Sequence, residues 1–216
     1  MSTRPTRVPL GPGGFQKLTN VSRETLDRLI RYVELLTAWN ARINLVGRNT
    51  LGDVWRRHIL DSAQLYPHIP QGTRLLIDLG SGAGLPGLIL SILGVPEVHL
   101  IESDARKAVF LREAARVTSA PAAVHALRID RAKPLVAQVV TARALAPVAE
   151  LLEISERFRA PDTICVFLKG ENVQEELTEA VKQWNMTAHQ SPSLSDPSGC
   201  ILRLENINRD PSAGSR

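Results

Sequence analysis

Residues 75–87 read LLIDLGSGAGLPG, and this stretch decides how the rest of the chain is arranged. The apolar run over 75–79 is too short for a helix and is followed by glycine, which predicts a buried parallel strand. Asp78 interrupts the run, and burying a carboxylate is costly unless it is paired. We therefore expect Asp78 at the carboxyl end of the strand, facing loop amides or a ligand. Pro86 and Gly87 then begin an apolar helix, because proline suits the first helical turn.

The glycines between this strand and helix indicate a ligand-binding turn, because glycine permits positive φ and close approach to the backbone. In open α/β sheets, ligands bind outside the carboxyl ends of the strands. Gly82-x-Gly84-x-x-Gly87 fits the dinucleotide fingerprint. Gly80-x-Gly82-x-Gly84, preceded by Asp78, is similar to the loop of class I S-adenosylmethionine-dependent methyltransferases. A tight turn with no ligand is the third interpretation, and the glycine spacing leaves all three open.

Length and composition limit the classes of protein that this chain can represent. Its 216 residues suffice for one α/β domain with a large core. The formal net charge of +4 is mildly basic and compatible with a nucleic-acid partner. No apolar run is long enough to span a membrane, and the amino terminus lacks the apolar core of a secretory signal. Cys165 and Cys200 lie in apolar stretches typical of buried thiols, so we expect a cytoplasmic protein without a disulfide framework or a metal site.

Hydrophobic periodicity divides the chain into four parts. These are a flexible basic tail over 1–20, a helical extension packed on the core over 21–70, a Rossmann-like core over 71–207 and a flexible tail over 208–216. In the extension, Ser22 is a good N-cap for a helix that ends near Trp39. A second helical segment is predicted from about Leu51 to Tyr66.

The core alternates strands and helices. Strands are predicted over 75–79, 98–101, 122–127, 137–141, 163–168, 186–189 and 200–204. Helices are predicted over 87–93, 105–117, 147–158 and 173–184. This alternation predicts an α/β fold with a seven-stranded, mostly parallel sheet and helices on both faces. The last two strands have no helix between them, which indicates an antiparallel edge.

Polar residues follow several of these strands. Glu102 ends the second strand, where an acid accepts hydrogen bonds from ribose hydroxyls in nucleoside-binding sheets. Ile129 and Asp130 follow the third strand and could flank an adenine ring. Arg143 ends the fourth strand and could contact a phosphate, a substrate base or a cofactor carboxylate. Each of these side chains could instead face solvent.

Three further residues are candidates for substrate contacts. Lys169 ends the fifth strand, so it belongs to the same edge of the sheet. Arg57 and His58 lie in the segment RRHILDS over 56–62. A helical histidine near an aspartate is most often structural, and both roles stay open for His58.

Missing motifs exclude several classes of enzyme. The chain has no G-x-S-x-G elbow, no P-loop lysine and no H-E-x-x-H. The fourth strand is not followed by the Asn-Pro-Pro-aromatic tetrad with which methyltransferases bind exocyclic amines. Neither cysteine follows a proline, as a nucleophile for pyrimidine C5 would.

Several separated blocks together resemble one family, the bacterial small-subunit ribosomal RNA methyltransferase G, or glucose-inhibited division protein B, family. The resemblance extends from about Val21 to Leu204. Its blocks are Trp39-Asn40 with Asn44-Leu45, RHILDS over 57–62, DLGSGAGLPG over 78–87, Arg143-Ala144, and Lys169-Gly170 with Glu175-Glu176-Leu177. The Leu-Pro-Gly end of the loop and the His-x-x-Asp-Ser block are more specific than any glycine spacing.

The resemblance implies a fold, a reaction and a site. The fold is that of class I S-adenosylmethionine-dependent methyltransferases with an amino-terminal helical extension, and the reaction is methylation of N7 of guanine 527 in 16S ribosomal RNA. By position, Gly80 and Leu85 would line the methyl-donor site, Ile129 and Asp130 would flank its adenine, and Arg143 would lie at the site. Many relatives carry two acids where this chain has Asp130-Arg131, so the alignment there could shift by one residue.

This reaction needs no general base. Guanine N7 is an acceptor that carries no proton, so its attack on a sulfonium methyl releases none. We expect S-adenosylmethionine as the cofactor, the small ribosomal subunit as the partner and a monomeric enzyme. Two alternatives stay open: an NAD-dependent oxidoreductase that uses Gly82, Gly84 and Gly87, and an RNA-binding module with a relict cofactor fold.

Overall fold

A computed structural model describes residues 8–211. Its centre is one seven-stranded sheet with the strand order β3-β2-β1-β4-β5-β7-β6. The strands are β1 Leu75–Leu79, β2 Glu97–Glu102, β3 Ala122–Ala126, β4 Val139–Arg143, β5 Ile164–Lys169, β6 Trp184–Pro192 and β7 Cys200–Arg209. The first five strands are parallel, and β7 is antiparallel to both β5 and β6. The predicted sheet and its antiparallel edge are confirmed.

Helices cover both faces of this sheet. They are α1 Pro12–Thr19, α2 Arg23–Asn40, α3 Asp61–Ala63, α4 Gly87–Ile92, α5 Ala105–Thr118, α6 Val148–Ser155 and α7 Val173–Ala180. Strand residues alternate between the two cores, as the pleat requires. Leu76 packs among residues of α2, α4 and α5, whereas Ile77 faces α6 and α7. Within residues 8–211, no helix is long and apolar enough to cross a membrane.

The amino-terminal region is more ordered than the sequence predicts. The flexible tail proposed for 1–20 is wrong for Pro12–Thr19, which form α1. Phe15 anchors this helix, because its ring is fully buried and its centroid lies 5.5 Å from that of Trp55. A single apolar anchor in a segment rich in proline and glycine gives no periodic signal. Residues 1–7 lie outside the described part of the chain.

The second helical segment of the extension is irregular. It consists of a 3-10 helix over Arg48–Asp53, a π-helical turn over Trp55–Leu60, α3, and a 3-10 turn over Tyr66–His68. The predicted helix over 51–66 therefore exists as several short pieces. Residues 48–68 pack between α1 and α4, and tertiary packing overrides the regular period here.

Two boundaries near the carboxyl terminus also differ from the predictions. The helix predicted over 173–184 ends at Ala180, and Trp184 instead begins β6. The tail predicted from residue 208 is wrong for Asn208 and Arg209, which still belong to β7. The Arg209 guanidinium lies 4.6 Å from the centre of the Trp184 ring and pairs with Glu156, which holds the end of the strand in place.

The packing of α1 can be tested by truncating Phe15. We expect Phe15→Ala to lower the free energy of unfolding by about 3–5 kcal/mol, because it leaves a cavity against Trp55. The measurement is urea unfolding followed by circular dichroism. Leu18→Ala is the matched control on the same helix, since Leu18 is 64% exposed, and it should cost less than about 0.5 kcal/mol. Equal effects of the two changes would mean that α1 does not pack on the core.

Candidate active site

The loop after β1 forms one side of a crevice of about 410 Å³ at the carboxyl ends of β1 to β3. We call this space the loop crevice. Gly80 and Gly82 line it with φ values of +65° and +56°, a conformation that other residues rarely adopt. Glu102 also lines it, and its two carboxylate oxygens accept hydrogen bonds from the backbone N–H groups of Gly82 and Asp104, each at 2.7 Å. One carboxylate thus joins the loops after β1 and β2.

The opposite wall comes from the segment after β3. Ile129 and Asp130 lie in a 3-10 turn there and line the crevice together with Arg128. Arg157 donates a hydrogen bond to the Asp130 carbonyl at 2.6 Å, which fixes the turn from behind. The crevice therefore has an apolar side chain, free carboxylate lone pairs and glycine backbone on three sides, which suits a nucleoside.

A leucine covers part of this crevice. A Cβ built on Gly80 would lie 2.8 Å from Leu145 Cδ1, so Leu145 rests directly on the glycine. The residue before it, Ala144, has a φ of +49°, which is strained for a side chain with a Cβ. Leu145 lines the loop crevice, while Ala144 lines the neighbouring space at the end of β4. Two consecutive residues after β4 therefore line one space each.

Three of the predicted ligand-binding residues lie behind the loop instead of in the crevice. Leu85 is buried in the core on the α4 face. At Gly84 a Cβ would lie 2.7 Å from Leu88 Cβ, so this glycine allows the loop to approach α4. Asp78 is completely buried and accepts a hydrogen bond from Thr141 Oγ1 at 2.8 Å. Each of these residues is covered by the core here, and its contact with a bound donor stays a prediction.

Burial also changes the acidity of Asp78. Desolvation raises the pKa of its carboxyl to about 6, against the opposing hydrogen bonds from Thr141 and Ser81. A Cβ on Gly87 would lie 2.5 Å from Asp78 Cβ, so glycine is required where α4 begins beside this carboxyl. Asp78 supports the turn, and its place at the end of the strand was predicted correctly.

The second space is a cavity of about 470 Å³ at the ends of β4 and β5, which we call the rim pocket. The extension supplies one wall and the loop between β6 and β7 supplies another. Its charged lining is balanced, with three cations and three carboxylates: Arg57, Arg143, Lys169, Asp61, Glu176 and Asp196. These pair as Arg57 with Asp196, Arg143 with Asp61 and Lys169 with Glu176, at 2.9, 3.1 and 2.5 Å.

A chain of hydrogen bonds fixes Arg143. Its Nη1 lies 3.3 Å from His58 Nδ1, and His58 Nε2 lies 2.7 Å from Thr50 Oγ1. Desolvation, with the nearby Arg143 and Arg57 charges, lowers the pKa of His58 to about 3, so the ring is neutral. Arginine can only donate, so Nδ1 accepts and we assign the proton to Nε2, which donates to Thr50. Thr50 in turn donates to the Gly47 carbonyl at 2.6 Å.

Two of the predicted substrate contacts, His58 and Lys169, are largely buried in the structure. His58 is only 6% exposed and both of its ring nitrogens are engaged, so it orients Arg143. Lys169 is also largely buried and donates to the Ala146 carbonyl at 2.9 Å in addition to its ion pair with Glu176. Arg57 is the most exposed of the predicted contacts.

Sequence reasoning missed three residues of the site. Leu145 and Lys107 line the loop crevice, and nothing in their surroundings distinguishes them from ordinary helix or loop residues. Tyr32 lies in the middle of the apolar stripe of α2, so the sequence pattern predicts only a core residue there. Its buried hydroxyl donates to the Ala83 carbonyl at 2.7 Å and so connects the extension to the glycine loop.

The sequence pattern of one family, rRNA small subunit methyltransferase G, matches residues 25–198. The chain belongs to this family. It is 59% identical over 193 residues to the ribosomal RNA small subunit methyltransferase G of Rhodospirillum centenum, covering 89% of each chain. It is 53% identical over 200 residues to that of Paramagnetospirillum magneticum, covering 93% of this chain and 98% of the relative. The predicted family is confirmed.

Solved structures support the fold class at low sequence identity. An O-methyltransferase from Bacillus cereus in complex with SAH has a TM-score of 0.54 at 14% identity, covering 88% of this chain and 99% of its own. M. jannaschii TYW2 in complex with AdoMet has a TM-score of 0.56 at 13% identity, covering 79% and 80%. The predicted methyltransferase fold is confirmed, and family membership identifies an S-adenosylmethionine-dependent ribosomal RNA methyltransferase. The oxidoreductase alternative has no support among these relatives.

Within the part of the chain that the structure describes, no group of three or more His, Cys, Asp or Glu side chains could hold a metal ion. Both cysteines are unpaired thiols, with Cys165 buried and Cys200 half-buried.

The burial of His58 predicts a pH dependence of stability. Its pKa is about 3 when folded and 6.5 when unfolded, so its contribution is present above pH 6.5 and is lost as the pH falls toward 3. Relative to His58→Gln, the wild type should lose about 2 kcal/mol of unfolding free energy between pH 7 and pH 5. Urea unfolding of both proteins at each pH measures this difference. The pH-dependent contribution of Asp78 drops out of the difference, because both proteins contain Asp78. The exposed His189→Gln is the control; a constant gap for His58→Gln would contradict the assignment.

The Tyr32 hydrogen bond predicts a selective defect in donor binding. Tyr32→Phe leaves the Ala83 carbonyl unpaired beneath the glycine loop, and we expect the KM for S-adenosylmethionine to rise about 5–10-fold. The KM for the RNA substrate should stay unchanged, because Tyr32 is fully buried and does not line the rim pocket. Tyr66→Phe, at a partly exposed tyrosine, is the matched control. Equal rises in both KM values would show a general structural effect and not a positioning role.

Proposed function

We propose that this protein transfers a methyl group from S-adenosylmethionine to N7 of guanine 527 of 16S ribosomal RNA, acting as a monomer in the cytoplasm. The observation that carries the proposal is the pair of adjoining spaces at one edge of the sheet. The loop crevice suits a nucleoside, the rim pocket is charge-balanced, and the consecutive residues Leu145 and Ala144 line one space each.

The loop crevice has the groups needed to hold the donor. Each Glu102 oxygen accepts one backbone N–H and keeps a further lone pair for a ribose hydroxyl. Ile129 would contact the adenine face, and Asp130 would accept from its amino group. Gly80 presents bare backbone once the Leu145 side chain turns away. When bound, S-adenosylmethionine supplies an electrophilic sulfonium methyl.

The rim pocket suits an acceptor that carries no proton. Its histidine, His58, stays neutral near pH 7 and is held between Arg143 and Thr50, so it is not placed to remove a proton. Arg143 uses Nη1 for its contacts to His58 and Asp61, which leaves Nη2 and Nε free to donate. Guanine presents O6 beside N7 on its major-groove edge, and Arg143 can donate to O6 while N7 faces the crevice.

The balanced charges of the pocket are suited to this reaction. Methyl transfer moves one positive charge from the sulfur to the purine and creates no net charge. The three carboxylates Asp61, Glu176 and Asp196 neutralise the pocket cations, so the new purine cation does not meet an excess of positive charge. The enzyme then acts by positioning its two substrates.

The donor site can be tested at Gly80. We expect Gly80→Val to abolish measurable binding of S-adenosylmethionine in isothermal titration, because the side chain would collide with Leu145 and strain the backbone at a φ of +65°. Gly52→Ala is the control, since no atom lies within 4 Å of its added Cβ. Unchanged affinity in Gly80→Val would refute the assignment of the loop.

The acceptor can be identified on undermethylated small ribosomal subunits. The protein is incubated with these subunits and S-adenosylmethionine carrying a labelled methyl group, and the modified nucleotide is mapped. We expect the label on N7 of guanine 527. Label on a ribose or on an exocyclic amine would contradict the proposed chemistry, even if the donor binds.

A further inference from the structure

A groove of about 430 Å³ lies outside both spaces, between the carboxyl-terminal end of α2 and the first turns of α5. It is lined by Ala38, Trp39, Arg42, Ile43, Arg106 and Val109. We call it the Trp39 groove. Neither the donor nor the acceptor nitrogen of the proposed reaction occupies it, so its composition calls for a separate explanation.

The floor of the Trp39 groove is apolar and aromatic. The Trp39 ring is half-buried and packs edge-on against Phe110, with ring centroids 5.7 Å apart. That contact fixes the plane of the indole. Val109 is 51% exposed and lines the same groove, so it adds apolar surface beside the indole. A rigid aromatic surface next to exposed apolar atoms is suited to a flat apolar ring.

Cations flank this floor. Arg42 is exposed and forms no ion pair within residues 8–211. Arg106 pairs with Asp104 at 3.2 Å, yet its side chain remains 76% exposed. No carboxylate lines the groove itself. The charge of the groove therefore complements an anionic partner, and its aromatic floor suits a partner that also carries a flat ring.

The groove is connected to the donor site through α5. Arg106 lines the Trp39 groove, while the next residue, Lys107, lines the loop crevice. The helix begins directly after Asp104, whose backbone N–H donates to Glu102. A strand of RNA crossing the first turn of α5 would therefore meet a cation on each side of the turn.

We propose that the Trp39 groove binds an unpaired nucleobase of the RNA substrate, stacked on Trp39, with Arg42 and Arg106 contacting the neighbouring phosphates. Only the identity of the RNA rests on the proposed function. Base stacking on aromatic side chains next to a cationic track is how proteins bind single strands. A base within a duplex has both of its faces covered, so the groove selects unpaired RNA.

Intrinsic fluorescence tests this directly on the full chain. Trp55 and Trp184 are buried, so Trp39 is the tryptophan best placed to report a stacked base. The probe is a mixed-sequence RNA oligonucleotide, compared with the same strand in a duplex. We expect quenching by the single strand and little by the duplex, and Trp39→Leu should weaken single-strand affinity about tenfold. Equal quenching by the duplex would overturn the stacking.

A second variant removes charges from the groove and leaves Trp39 and its packing unchanged. Arg42→Gln with Arg106→Gln should reduce the slope of log affinity against log salt by about 1.4, the value for two phosphate contacts on a single strand. The matched control is Arg74→Gln with Lys182→Gln, which removes one unpaired and one paired surface cation elsewhere.

The outcomes separate this inference from the proposed function. If both groove variants bind the oligonucleotide like the wild type, the inference is wrong and the groove has another occupant, such as a protein segment. Because the probe assay involves no methyl transfer, the mapped methyl could fall on a different base while the groove still binds single strands. Donor affinity, unchanged in all variants, verifies that each one is folded.

Discussion

A single carboxylate connects two of the loops that line the loop crevice. Glu102 accepts hydrogen bonds from the Gly82 and Asp104 backbone N–H groups, so the turn after β1 and the turn after β2 are fixed to the same side chain. Hydrogen bonds to a charged group contribute about 1.5–3 kcal/mol. They add to other hydrogen bonds of the glycine turn, among them one from the Ser81 N–H to the Ile101 carbonyl at 3.0 Å. The shape of the loop crevice therefore depends in part on this bridge.

The amino-terminal extension also supports the site through contacts that are already formed in the folded protein. Residues before β1 belong to no part of the Rossmann-like core, yet they complete the site from two directions. Tyr32 supports the glycine turn through the Ala83 carbonyl, and the segment over Trp55–Leu60 supplies His58 and its contact to Arg143. The extension therefore helps to hold the glycine turn and Arg143 in position, which the sheet alone would do less firmly.

Much of the fold could be predicted, because the strands are short apolar runs that alternate with helices, and Ser22 marks the start of α2. The turn after β1 was predicted from its glycines, and Glu102 was predicted from its place at the end of a strand. The irregular helical pieces over 48–68 could not be predicted, because tertiary contacts and not periodicity decide them. Phe15 and Trp184 were misplaced for a related reason, since a lone aromatic anchor creates no repeating pattern.

The site was predicted less completely than the fold. Strand-end residues such as Arg143 were found because the carboxyl ends of parallel strands meet at one edge. Leu145 was missed, since its importance comes from lying on Gly80 across the sheet, a contact between residues 65 positions apart. His58 was found, but its burial turned a candidate substrate contact into a residue that orients Arg143.

The central claim is that positioning, without a titrating base, accomplishes the methyl transfer. The most direct measurement is the single-turnover rate between pH 7 and 8.5, with donor and small subunits both saturating. This range lies above the pKa of His58, about 3, and above that of Asp78, about 6. We expect a rate that changes less than about twofold across the range. A rise of about tenfold per pH unit would show that a proton must be removed, and would contradict it.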